Sequence, residues 1–327
     1  MESVGGVMSK KFITSGTVSS RDGTSLIKII LKEVTSNKYL YIMALPVALY
    51  YLLFHYGPMY GAVIAFKDYN IAKGVLESPW VGFKHFQTFF ESRYFGRLMR
   101  NTFFISLEQL IWGFPAPVLL ALLLNEVRNK YFKRTVQTLS YLPHFISLVV
   151  IAGMIHDFMG RDGLITDLFT LLGGKRTNLL SVAGYFRTIY VSTGIWQQIG
   201  WGSIIYLAAL SGIDSMQYEA AEIDGAGRLR KLLHITIPGM LPTVIILLIL
   251  NIGNMLNIGF QKVILLYNPL TYETADIISS FVYRTGLGGS FQYSYTTAIG
   301  MFQSTLNLIL LLSANRLSRK VSETSLW

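Results

Sequence analysis

Six stretches of the chain, residues 39–66, 101–125, 139–160, 185–213, 241–263 and 294–315, are each apolar over about the 20 residues that a helix needs to cross a bilayer. Runs of this length constrain the fold strongly, because hydrocarbon offers no hydrogen-bond partner to a free N–H or C=O. A helix satisfies its own backbone over such a segment. The pattern therefore predicts an all-α integral membrane protein with six transmembrane helices and no internal repeat. Pro46, Pro58, Pro115, Pro117 and Pro143 fall inside the runs, where neighbouring helices or water can satisfy the freed carbonyls. Charged residues make up only 14% of the chain, against about 25% in a soluble domain. The net charge of +10 is thus read with membrane topology; no basic stripe on a recognition fold points to nucleic acid. The chain has no cysteine, which excludes disulfides, thiolate metal sites and thiol nucleophiles.

Six crossings put both termini on one side. If that side is cytoplasmic, the two tails and the 126–138 and 214–242 connections hold 16 Lys and Arg, against 12 over the rest of the chain. The bias has the sign that the positive-inside rule requires. Its strongest element is the compact group Arg128, Lys130, Lys133 and Arg134, whereas Arg97 and Arg100 sit awkwardly near an outer boundary. The expected organisation is a cytoplasmic tail over 1–38, a six-helix domain over 39–315 and a cytoplasmic tail over 316–327. The first apolar run lacks the features of a cleavable signal and should remain as an anchor. Before it, Leu26, Ile27, Ile30, Leu31 and Val34 share a helical face beside Lys28 and Lys32, which suits either an interfacial helix or a plain tail. On the outer side, Phe83, Phe86, Phe89, Phe90, Tyr94, Phe95 and Leu98 suit an amphipathic helix leading into the second span. The 161–184 and 267–293 connections are long enough to receive another protein, or simply to join spans.

The 214–242 connection is too orderly for a slack loop. Asp214 can cap a helix, with Gln217 three residues on completing a capping box. Residues 216–223 favour helix, and Ala220 and Ala221 leave a bare surface that a partner could approach closely. Gly225 permits the turn that ends this helix. A second short helix over 228–236, basic through Arg228, Arg230 and Lys231, is expected to end at Pro238 and Pro242, where the next apolar run starts.

The motif EAAEIDGAG, followed by IPGMLP, resembles the EAA loop of binding-protein-dependent ABC importer permeases. The motif covers about two dozen residues, and the hydropathy layout extends the likeness over nearly the whole chain. The resemblance implies the type I ABC importer permease fold, and it assigns ATPase coupling to Glu219, Ala220, Ala221, Asp224, Gly225, Ala226, Pro238 and Pro242. It also implies two ATP-binding subunits, a second permease (a different chain, as the extended tail suggests) and an extracytoplasmic solute-binding protein. The wording GFKHFQTFF…NTFF is similar to the segment before the same span in sugar permeases. YLPHFISLVVIAGMIHDFMGRDGLIT looks like the large-oligosaccharide subgroup, which includes permeases for pectin-derived and alginate oligosaccharides.

The chain carries no GxxxxGK[ST], no nucleophile elbow, no HExxH and no metal-ligand spacing. It is therefore not expected to be an enzyme: ATP and magnesium should belong to the partner ATPase, with no cofactor or metal here. Glu219 and Asp224 suit charge pairing with a partner rather than acid–base work. Glu108 is the one carboxylate well inside a span, and reads as structural glue or a cavity residue; a proton-coupled transporter would show a fuller relay. Asn251, Asn254 and Asn257 recur along the fifth span, Gln303 and Asn307 on the sixth, and Gln197, Gln198 and Trp201 on the fourth. Amides can pair with sugar hydroxyls and indoles can stack on sugar rings, although each residue also suits helix packing. An excess of Lys and Arg over Asp and Glu on the outer connections would favour an acidic glycan, unless those bases meet phospholipid headgroups or a docked protein. Import of oligosaccharides, uronate-rich chains such as alginate oligomers included, is the reading. An ABC permease for amino acids, peptides or osmolytes is the alternative, ahead of an ion-coupled secondary transporter.

Overall fold

The computed structural model describes residues 34–321, and the expected interfacial helix over 25–34 lies almost wholly outside them. Among the described residues there is no strand, only isolated bridges between Lys67 and Trp80 and between Asn70 and Gly74. The chain divides into two units, residues 1–60 and 61–327. In the first, a helix starts at Lys38, passes Pro46 without breaking, and carries a cluster of tilted and edge-on rings, Tyr50, Tyr51, Phe54 and His55. Its apolar side chains are exposed, as suits a surface that faces lipid or other protein.

Among the described residues, four helices are long and apolar enough to cross a membrane: Lys38–Phe66, Phe95–Glu126, Arg228–Gly253 and Tyr293–Arg319. Two bent pairs raise the number to six if each counts as one span. The expected third span, 139–160, is two helices meeting at 101°, Lys130–Phe145 and Leu148–Leu171. Pro143 tightens the chain into a 3₁₀ turn, Ile146 is extended, and Ser147 restarts the helix by accepting the Val150 N–H at 3.3 Å. The fourth span runs over Ala183–Ser211 and turns by 67° into Ser215–Ile223.

Prolines have a common solution in three spans. Wide π-helical turns over Leu52–Tyr56, Gln109–Gly113 and Leu232–Thr236 each end two residues before a proline: Pro58, Pro115 and Pro238. A proline ring clashes with the carbonyl four residues back, and a π turn moves that carbonyl aside. This corrects the expected end of the second loop helix. Pro238 and Pro242 do not stop it; Arg228–Gly253 is one continuous helix, with both prolines inside it. That span stops at Gly253 rather than 263. Residues 254–259 are irregular, and a short helix, Phe260–Leu266, follows.

Inside a bilayer, apolar contact with a neighbour gains little over contact with lipid, so helices hold by close approach and hydrogen bonds. Gly200 illustrates the first: a Cβ there would stand 2.1 Å from the Ser140 carbonyl oxygen. Gly202 lies against Pro117 and Gly253 against Leu311 in the same way. The largest core gathers Ile105, Ile151, Phe186, Tyr190, Val263 and Ile277, joining the fourth span to the segments after the fifth. A smaller one, Ala121, Tyr206, Leu210 and Met240, lies next to the 214–242 connection. Phe89, Leu98, Ile278, Phe281 and Ile299 form a third core at the opposite end, so the aromatic stretch before the second span is anchored there through Phe89.

Candidate functional site

The 214–242 connection is built by short-range hydrogen bonds. Asp214 caps the helix Ser215–Ile223 by accepting the Met216 N–H at 2.9 Å; the reciprocal Gln217 bond of a capping box does not form. At the other end Gly225 adopts φ +72°, a left-handed conformation that glycine takes without strain. The Gly225 N–H donates to Glu222 O at 3.0 Å and the Ala226 N–H to Ala221 O at 2.8 Å. These are the paired bonds of a Schellman turn. Lys231 ties the turn back through Glu222 at 3.1 Å, and the Tyr218 and Thr236 hydroxyls meet at 3.0 Å. Glu219, Ala220, Asp224 and Gly225 are exposed, and Ala221 and Ala226 partly so. Met216, Ile223 and Leu229 are exposed too, Ile223 at 88%. Apolar side chains presented on a short helix rimmed by charge have the character of a docking face. Pro238 and Pro242 stand apart from it, on the first turns of the following span.

Between the spans lies a cavity of about 600 Å³. Of the residues singled out for a solute path, Gln197, Gln198, Trp201 and Asn251 line it. His144 lies flat on Trp201, with ring centroids 4.4 Å apart, and its Nδ1 donates to Gln198 Oε1 at 3.0 Å. The amide carbonyl can only accept, which places a proton on Nδ1 and leaves the Gln198 NH₂ to donate. Asn251 gives its own NH₂ to Leu247 O at 2.9 Å and keeps a free carbonyl.

The other path candidates are placed elsewhere. Asn307 donates to Asn257 Oδ1 at 3.0 Å and accepts the Leu256 N–H at 3.2 Å, while Gln303 donates to Leu256 O at 2.6 Å. These amides brace the irregular 254–259 segment, whose backbone would otherwise be unsatisfied. Asn254 bonds back to Leu250 O at 3.2 Å. Glu108 ends the first α-helical stretch of its span, before the π turn and outside the cavity, and its neighbour Gln109 is the residue that reaches the wall. Gln261 and Lys262 also line the cavity and were not anticipated; a cation inside an apolar run was the available signal.

At the far end from the 214–242 connection, a second cavity of about 900 Å³ opens among Arg93, Arg97, Tyr94, Tyr272, Phe281 and Arg284. Asp276, wholly buried, accepts from Arg97 at 2.9 Å and from Arg284 at 2.8 Å. Burial opposes the Arg284 charge, but the hydrogen bonds and charge of Asp276 outweigh it and raise its pKa above the usual range. Arg100 donates to Glu273 at 2.5 Å and holds that carboxylate below its usual range, chiefly through this hydrogen bond. The two arginines that ran against the topology bias are thus neutralised locally.

A bundle of membrane helices with a polar, aromatic cavity between its spans and an exposed helix-turn at one face defines a transport permease. The chain belongs to the binding-protein-dependent transport system inner membrane components, whose sequence model matches residues 113–323. It is 46% identical to the polygalacturonan/rhamnogalacturonan transport system permease protein YteP of Bacillus subtilis (strain 168), over 92% of this chain and 94% of that one. Protein LplB of the same organism is 45% identical over 89% and 92% respectively. The fold is shared with a solved bacterial alginate ABC transporter, in complex with an alginate pentasaccharide-bound periplasmic protein. The TM-score is 0.83 at 41% identity, covering 91% of this chain and 99% of that chain.

Proposed function

We propose that this inner-membrane permease imports oligosaccharides, uronate-containing chains among them, with two ATP-binding subunits, a second and different permease chain and an extracytoplasmic binding protein. The carrying observation is the pairing of the two sites: an exposed Schellman-ended helix, and a cavity with free amide groups beside a stacked indole. The likeness to a permease named for polygalacturonan and rhamnogalacturonan transport, and to an alginate transporter, supports the cargo. Six crossings with both termini cytoplasmic would place Glu219, Ala220, Ala221, Asp224 and Gly225 against the ATPase.

ATP and magnesium bind the partner subunits, and this chain does no bond chemistry. Closure of the ATPase pair draws the Ser215–Ile223 helix inward. The movement passes through Ala226, Pro238 and Pro242 into the fifth span. The Tyr218–Thr236 bond and the Lys231–Glu222 pair make that corner move as one body. The span then rocks against the second permease and opens the cavity to the loaded binding protein.

Copurification in mild detergent, followed by ATPase assays across a glycan panel, tests the reading. An ATPase and a second permease should follow this chain, and oligosaccharide-loaded binding protein should stimulate hydrolysis. Purification alone, or stimulation only by amino acids or peptides, would refute it.

A further inference from the structure

Lys262 is 6% exposed, on the short helix Phe260–Leu266 beyond the broken end of the fifth span. It lines the same cavity as Gln197, Gln198, Trp201 and Asn251. An ammonium has three protons to donate. One goes to the Tyr190 carbonyl at 2.9 Å, and the cation stands 4.8 Å from the centre of the Tyr190 ring. No carboxylate among the described residues is within ion-pairing distance of it. Burying a cation without a counter-charge is strongly unfavourable. Arg97, Arg100, Arg176 and Arg284 differ: each has an Asp or Glu. Gly194 stands beside the ammonium, where even a Cβ would come to 3.4 Å of Nζ, so the glycine leaves that approach open.

We propose that Lys262 is a specificity-determining residue that binds a carboxylate of the passing sugar, making oligouronates the preferred cargo. This rests on the oligosaccharide-import reading. A uronate entering the cavity supplies the missing counter-charge through a charge-assisted hydrogen bond. The Gln198 NH₂ and the Asn251 carbonyl are free to meet ring hydroxyls, and Trp201 offers a face for stacking. A neutral glycan leaves the lysine buried and unpaired, so the same group that favours one cargo disfavours the other.

The test is uptake into proteoliposomes by the whole transporter, with the binding protein saturated in turn with trigalacturonate, its fully methyl-esterified form and a neutral galactotriose. Wild type should prefer the uronate about tenfold or more, a usual value for one charge-assisted hydrogen bond. Lys262→Met and Lys262→Gln should abolish that preference by lowering uronate uptake per ATP hydrolysed, with binding-protein-stimulated ATPase activity kept. Gln retains a donor for the Tyr190 carbonyl and so guards against misfolding. Lys262→Arg should restore the preference. Equal wild-type uptake of acid and ester, preference for the galactotriose, unchanged preference in the variants, or parallel loss of uptake and stimulated ATPase in Met, Gln and Arg alike would overturn the role of Lys262 and leave sugar import standing. Failure of wild type to take up any glycan would instead overturn the import reading beneath it.

Discussion

Arg97 and Asp276, 179 residues apart in sequence, meet at 2.9 Å, and the carboxylate has no exposure to solvent. Arg284 approaches the same carboxylate at 2.8 Å, and Ser280 donates to it at 2.9 Å. Asp276 therefore fastens the start of the second span to the segment before the last. Replacing it with Ala leaves two guanidiniums facing each other without an anion. The expected cost is about 3–5 kcal/mol, the usual penalty for removing one partner of a buried pair. Thermal unfolding of the detergent-solubilised complex would measure it, and a variant as stable as wild type would contradict the role.

The neighbouring pair responds to pH. The Arg100 hydrogen bond holds the Glu273 carboxylate below its usual range. A depressed folded pKa contributes stability that is complete above the unfolded value of about 4.3 and is lost as pH falls through the folded value. Both side chains are largely exposed, so the contribution is about 0–1 kcal/mol. Melting temperatures should fall less steeply below pH 4 in Glu273→Gln than in wild type, and the difference should shrink in high salt. Identical acid limbs would count against the pairing.

Gly200 predicts a packing effect that can be separated from helix propensity. Ala at this position puts a Cβ 2.1 Å from the Ser140 carbonyl oxygen, so the two segments must move apart. A loss of about 1–3 kcal/mol is expected. Gly153, whose Cβ would meet nothing within 4 Å, provides the control: Gly153→Ala should leave stability unchanged or slightly raised. Equal behaviour of the two variants in a melting assay would refute the close approach.

At Gly225 the constraint is conformational alone, since φ is +72° and a Cβ would meet no atom within 4 Å. Gly225→Val penalises the left-handed turn by about 1–2 kcal/mol and loosens the Schellman bonds to Ala221 and Glu222. Insertion and assembly should persist while sugar uptake per ATP falls about tenfold. Gly225→Asn, which tolerates the same backbone, should retain most coupling. Normal uptake by the Val variant would remove Gly225 from the coupling path.

Legibility followed the range of the interactions. Asp214 as a cap and Gly225 as a turn were readable because both act on backbone groups within a few residues. The ends of Phe95–Glu126 and Tyr293–Arg319 lie close to the expected spans, since apolar runs of that length have few alternatives. Asn254 and Asn257 were read on a regular helix that stops at Gly253. Gly253, Asn254 and Gly259 flank that break, which is held open by Gln303 and Asn307 from the last span.

The sequence by itself determined a helical membrane protein, its family and the turn chemistry of the 214–242 connection, because hydropathy and capping depend on nearby residues alone. Tertiary structure decided where the spans bend, which amides face the cavity and which stitch the fold. It also decided that Arg97 and Arg100 are paired while Lys262 waits without a counter-charge. Those outcomes depend on contacts such as Arg97 with Asp276 or Lys262 with Tyr190, which exist only after helices remote in sequence have packed. Composition counts a charge, but only packing assigns its partner.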